Sequence, residues 1–149
     1  MTRLKRTNSD DIDFINLVVL LDQDLKIRDG EDHIFYNQFN KIDKIKHVIV
    51  FYENDVAVGC GAFREKKSDT VEVKRMFVNP DYRKRGIAAA VLKELENWAA
   101  ELNYTYTILE TGKKQPEAIS LYQKSGYTII QNYPPYEEMD NSVCMKKTL

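Results

Sequence analysis

Cysteine, proline and glycine are all scarce in this chain, at two, four and six residues. The two cysteines, Cys60 and Cys144, lie far apart and follow no signal-peptide pattern. That excludes a disulfide-framed secreted scaffold and favours free thiols in a reducing compartment. No Pro/Gly-rich linker, internal repeat or low-complexity tract divides the sequence, and 149 residues suit one core better than two. A single domain over residues 1–149 is expected. Excess charge of one sign is also missing: 22 Lys and Arg face 23 Asp and Glu. Without a broad basic surface, nucleic acid is not an expected partner. The longest apolar run, Leu17-Val18-Val19-Leu20-Leu21, is far short of a membrane span, and no apolar segment directly follows the basic stretch Met1 to Arg6. The expectation is a cytoplasmic protein with no membrane partner and no metal site.

The residues present are those of an ordinary globular domain, 43% hydrophobic and 30% charged. Arg3 to Arg6 reads as a short edge strand. Asn8-Ser9-Asp10-Asp11 supplies N-cap chemistry for a helix over about Asp10 to Leu25, with Ile12, Ile15 and Val18 at helical spacing and Phe14, Leu17, Leu21 and Leu25 widening that stripe. Gly30 breaks it, and Glu31 to Phe39 reads as a second, shorter helix carrying Ile34, Phe35 and Phe39. His47 to Tyr52, Val56 to Phe63 and Thr70 to Val78 are β-branched or aromatic runs separated by turn residues. Ile87, Val91, Leu95, Trp98 and Leu102 form the strongest helical period in the chain. Tyr104 to Glu110 is a further strand, and Gln115 to Lys124 a helix closed by Gly126. Tyr127 to Ile130 and Ser142 to Lys146 form a final strand pair around an aromatic, proline-bearing loop. This order predicts a mixed αβ sandwich built on one sheet.

One turn has a chemical purpose available to it. Arg83-Lys84-Arg85-Gly86-Ile87-Ala88 follows a strand and opens the long helix. The first N–H groups of a helix lack internal partners, and the helix dipole makes that end positive. A diphosphate can sit there if no side chain blocks it, and Gly86 and Ala88 leave that clearance. Read alone, the turn is either a phosphate seat or a solvated basic turn.

Its surroundings favour the former. The stretch Glu72-Val73-Lys74-Arg75-Met76-Phe77-Val78-Asn79-Pro80-Asp81-Tyr82-Arg83-Lys84-Arg85-Gly86-Ile87-Ala88 resembles the cofactor motif of the GNAT superfamily of N-acetyltransferases, with Arg83, Gly86 and Ala88 on its Arg/Gln-x-x-Gly-x-Gly/Ala core. Downstream, Gln115-Pro116-Glu117-Ala118-Ile119-Ser120-Leu121-Tyr122-Gln123-Lys124-Ser125-Gly126-Tyr127 is similar to that family's second motif, Asn-x-x-Ala-x-x-Leu-Tyr-x-x-x-Gly-Phe. Gln115 stands where the family usually has Asn, and Tyr127 where it usually has Phe. The two motifs cover roughly the C-terminal half.

The resemblance implies an α+β fold, a mixed and mostly antiparallel central sheet flanked by helices, with a splayed strand for the cofactor. It implies acetyl-CoA as cosubstrate, its pantetheine arm on the backbone of Met76, Phe77 and Val78 and near Gln115. The pyrophosphate would sit on the N–H groups of Lys84, Arg85, Gly86, Ile87, Ala88 and Ala89, with Arg83 adding charge. Tyr122 resembles the general acid that protonates the departing thiolate, although its spacing alone suits a core tyrosine equally. Glu72 stands where some members carry a carboxylate base; by alternation alone it is an ordinary polar strand residue. The implied reaction is direct transfer of acetyl to a primary amine of a small molecule or peptide. The alternative is a non-catalytic acyl-CoA-binding or sensor domain of the same fold. For the acceptor, the carboxylates and aromatics around Glu31, His33 and Tyr36, and Tyr136 in the late loop, are the candidates. Exposed edge strands would permit a homodimer.

Overall fold

The computed structural model describes residues 1–37 and 44–149. Its order is β1 (Thr2–Thr7), α1 (Ile12–Asp29), a 3₁₀ turn (Gly30–Asp32), α2 (His33–Asn37), β2 (His47–Glu53), β3 (Val56–Lys67), β4 (Thr70–Val78), a 3₁₀ turn (Pro80–Tyr82), α3 (Ile87–Glu101), β5 (Tyr106–Gly112), α4 (Pro116–Lys124), β6 (Thr128–Ile130) and β7 (Ser142–Thr148). The strands form one sheet in the order β1-β2-β3-β4-β5-β7-β6. Every described neighbour pair is antiparallel except β4 and β5. A parallel pair needs a long crossover, and α3 supplies it. This is the α+β arrangement expected.

Asp11 caps α1 by accepting from the N–H groups of Asp13 and Phe14 at 2.9 and 3.2 Å. The helix runs one turn beyond Leu25, carried by the Asp24–Arg28 pair and stopped by Gly30 at φ 55°. Its buried face is Phe14, Leu17, Val18 and Leu21, whereas Ile12, Ile15 and Val19 are exposed. Only part of the broad apolar stripe therefore packs, with Val18 on the buried side and Ile12 and Ile15 off it. The second helix is described as a 3₁₀ turn followed by five α residues to Asn37; the rest of its expected span, with Phe39, lies outside the described residues.

The two faces of the sheet have separate cores. On one, Val91, Leu92, Leu95 and Ala99 of α3 pack on Ile49, Phe63, Val71 and Val73. On the other, α1 covers Val48, Val50, Cys60, Ala62 and Phe77. Leu102, at the end of the α3 period, is left exposed.

A bulge in β4 sets up the site. Cys60 pairs with Phe77 but Ala62 pairs with Lys74, so Arg75 and Met76 together face Gly61, with Arg75 at φ 60°. Bulges bend a strand and increase its local twist. On its other side β4 meets β5 at three residue pairs only, ending at Glu72 with Ile108. Beyond that point the strands part. Gly61 has no room for a side chain, since a Cβ there would lie 2.5 Å from the Met76 sulfur and 2.9 Å from Val91 and Leu95. We expect Gly61→Ala to destabilise the fold by about 1–3 kcal/mol through overpacking. Urea unfolding measures it, and a variant as stable as wild type would show that α3 yields there.

No described helix is long and apolar enough to cross a membrane.

Candidate active site

Alternation along β4 and β5 decides which side chains meet. Val71 and Val73 turn toward α3, so Glu72 and Lys74 turn to the other face. On β5, Leu109 turns toward α3, which places Ile108 and Glu110 beside Glu72 and Lys74 on that face. The gap between the parted strands becomes a cleft. Asp29 of α1, Tyr36 of α2, Glu72, Glu110, Tyr122 of α4 and Tyr136 of the β6–β7 loop all line it.

One end of the cleft is built from backbone. Once β4 leaves β5, its β5-facing edge from Val73 onward carries no strand partner among the described residues. Met76 lines the cleft here, while the Phe77 and Val78 side chains are buried in the two cores. Gln115 caps α4 and also lines the cleft. At the start of α3, Gly86 adopts φ 78° with no side-chain cap, and a Cβ built on it meets nothing within 4 Å. The first intrahelical bond runs from Ala90 N–H to Gly86 O at 3.0 Å. The N–H groups of Ile87, Ala88 and Ala89 therefore remain free for an anion. The neighbouring cations are partly engaged. Arg83 Nε donates to Val78 O at 2.9 Å, and Arg85 pairs with Glu53 at 2.9 Å. Lys84 is exposed at φ 65°.

Tyr122 is buried, packed edge-on against Tyr127 at 5.8 Å. Among the described residues its hydroxyl has no hydrogen-bond partner. Burial raises its pKa, and the charge of Glu110 raises it further, so it is protonated at neutral pH.

The other end is polar and enclosed. Glu72 is 2% exposed and heavily engaged. The Tyr133 hydroxyl donates to its Oε2 at 2.8 Å, Arg64 Nε approaches Oε1 at 3.4 Å, and Lys74 Nζ lies 3.9 Å from Oε1. Glu110 has no cation within ion-pair distance among the described residues; burial pushes its carboxyl up to about 7, opposed by a hydrogen bond from Ser142. Ser142 also bonds the Tyr36 hydroxyl at 2.7 Å. Tyr36 and Tyr136 stack at 6.2 Å and form a wall with Tyr133. Cys144 lies buried in this cluster, its thiol raised to about 11 by burial, and Cys60 sits in the α1 core, raised to about 12. Both are therefore neutral thiols at pH 7, which disfavours a covalent acyl-cysteine route.

The sequence-predicted residues thus divide. Glu72, Met76, Gln115, Tyr122, Tyr36 and Tyr136 come together in the cleft. Glu31 is exposed and His33 half-buried, and neither lines the cleft. Asp29, the last residue of α1, is buried in the cleft wall. Glu110 was missed. Its signal was present as a lone carboxylate two residues after Ile108 in an otherwise apolar strand, where alternation puts both on one face.

Comparison with known proteins agrees with this geometry. The profile described as "Acetyltransferase (GNAT) family" matches residues 16–127. The chain belongs to the GNAT family of acetyltransferases. It is 34% identical over 102 residues to an IAA acetyltransferase of Azospirillum brasilense, covering 68% of this chain and 67% of the relative. It is 32% identical over 100 residues to the uncharacterized N-acetyltransferase YsnE of Bacillus subtilis, covering 66% of each. The matched segments thus span about two thirds of these relatives. A crystal structure of a Klebsiella pneumoniae protein assigned to the acyl-CoA N-acyltransferases superposes with TM-score 0.83 at 26% identity, covering 100% of this chain and 98% of that one. A GNAT acetyltransferase of Elizabethkingia anophelis, crystallised with acetyl-CoA bound, shares the fold with TM-score 0.70 at 19% identity, covering 99% of this chain and 98% of that one. Membership brings acyl transfer from an acyl-CoA. The unpartnered β4 edge and the uncapped α3 terminus fit the amide-bearing arm and diphosphate of such a molecule, since both are bound by backbone groups.

Proposed function

We propose that this GNAT acetyltransferase moves an acetyl group from acetyl-CoA directly to a primary amine of a small molecule or peptide in the cytoplasm. The observation that supports it best is a cleft that joins an open strand edge to a protonated tyrosine and a set of carboxylates. The same strand leads, through the 3₁₀ turn Pro80–Tyr82, to the uncapped terminus of α3. Acetyl-CoA would supply the activated thioester carbonyl. The β4 edge from Met76 to Val78 holds the arm in register, and the N–H groups from Lys84 to Ala89 hold the diphosphate. A backbone N–H near Phe77 stabilises the oxyanion as the amine adds. Tyr122 then donates its proton to the leaving sulfur. Tyr36 and Tyr136 offer an apolar wall for the carbon part of the acceptor, and the carboxylates nearby attract its cationic form.

The deciding measurement is thiol release from acetyl-CoA across a panel of small amines, amino acids and short peptides. Turnover with at least one amine, with its amide found by mass spectrometry, is expected. Tight CoA binding with no turnover of any amine or peptide would favour the non-catalytic binding reading.

A further inference from the structure

We propose that Glu110, and not Glu72, is the catalytic base that takes the proton from the acceptor amine. The assignment rests on the amine reading above and specifies which carboxylate serves that site.

Three observations carry it. First, Glu72 has little free capacity. A base must offer a lone pair to the incoming ammonium, but one Glu72 oxygen accepts from Tyr133 and the other faces Arg64 and Lys74. Those partners occupy the oxygens that an incoming ammonium would need to reach. Second, Glu110 lines the same cleft without a cation partner among the described residues, and it is more exposed to the cleft than Glu72. Third, Glu110 is the carboxylate near the acid. Both line the cleft, and the Glu110 charge acts on the Tyr122 hydroxyl. A base and an acid that serve one thioester must lie close enough to bracket it.

The electrostatic setting is consistent. Facing Glu110 are Asp29 of α1, Tyr36 of α2, Glu72 and Lys74 of β4, Tyr122 of α4, Tyr136 of the loop, and Ser142 and Cys144 of β7. The carboxylates raise its pKa, while Lys74 and the Ser142 hydroxyl lower it, with burial the largest influence. The result of about 7 places the group where both protonation states are populated at neutral pH.

The step balances as follows. Glu110 carboxylate accepts one proton from R–NH₃⁺, giving R–NH₂ and the Glu110 carboxylic acid. The amine lone pair forms the C–N bond at the thioester carbon, and the C–S bond breaks with its electron pair on sulfur. Sulfur takes the Tyr122 proton. The surplus proton on the new amide nitrogen returns to the Tyr122 oxygen, and Glu110 releases its proton to water.

The pH profile of kcat/KM tests this, with the best amine of the panel as acceptor. Wild type is expected to lose rate as pH falls through about 7, because protonation removes the base. Glu110→Gln should lower kcat/KM at pH 7.5 by roughly 100-fold or more and abolish that acid limb, with acetyl-CoA affinity unchanged by calorimetry. Glu72→Gln should keep the limb even where it lowers the rate. As a second variant, Glu110→Ala should regain at least roughly tenfold in rate with added formate, a rescue that a purely structural role would not allow. An acid limb that persists in Glu110→Gln, or one that vanishes in Glu72→Gln, overturns the assignment and leaves the amine reading intact. Wild-type turnover of no amine at all overturns the amine reading and this assignment with it.

Discussion

Tyr122→Phe is expected to lower kcat by roughly 10²–10⁴-fold at pH 7 while leaving the affinity for acetyl-CoA unchanged. The phenol hydroxyl is the one atom removed. It has no protein hydrogen-bond partner among the described residues, so its loss orphans no buried group and should change stability by less than about 1 kcal/mol. The ring itself remains, and with it the edge contact to Tyr127 at 5.8 Å. A drop in rate therefore reads the proton and not the packing. Burial and the Glu110 charge both hold this hydroxyl in its protonated form, which suits a donor and means that the resting phenol does not deprotonate the incoming ammonium. Thiol release with the best acceptor measures the effect. Equal turnover by the two proteins would remove Tyr122 from the chemistry.

Gly86→Glu is expected to raise the dissociation constant for acetyl-CoA by roughly 100-fold or more, about 2.7 kcal/mol. Two effects act in the same direction. Gly86 holds φ 78°, a left-handed conformation that costs an L-residue about 1–2 kcal/mol, so the uncapped terminus would tend to rearrange. The added carboxylate would also stand beside the seat of a diphosphate, where repulsion adds to lost access. The fold should persist, because Gly86 is exposed and no atom lies within 4 Å of the new Cβ. Gly86→Ala separates the two effects, since it carries the strain without the charge. Isothermal calorimetry with CoA is the readout, and unchanged affinity in the Glu variant would move the diphosphate elsewhere.

The way the elements were legible reflects the range of the forces behind them. The α3 stripe was readable because a helix with one buried face must repeat its apolar residues every turn, and Val91 and Leu95 are indeed fully buried. In α1, by contrast, the apolar stripe was read too wide: Phe14, Leu17, Val18 and Leu21 are buried while Ile12 and Ile15 are exposed, because the buried part depends on which face the sheet meets. β4 has the expected bounds, Thr70–Val78, but β5 is shifted: it begins at Tyr106 and runs to Gly112, set by its pairing with β7. At the site, Glu72 was noticed through its motif position. Its engagement by Tyr133 and Arg64 comes from residues 61 and 8 positions away, which no local pattern encodes.

The sequence by itself determined the elements of the proposed cofactor end. A strand, a basic turn, Gly86 and a long helix lie within one continuous stretch, and the free backbone N–H groups that would seat a diphosphate follow from such a stretch on its own. Only the tertiary structure decided the acceptor end. Asp29, Tyr36, Glu72, Glu110 and Tyr136 come from five separate elements and meet because the bulged β4 leaves β5 after Glu72. Partners at that meeting point, not residue type, set Glu110 apart from Glu72: Tyr133, Arg64 and Lys74 surround the more deeply buried Glu72, whereas no described cation pairs with Glu110.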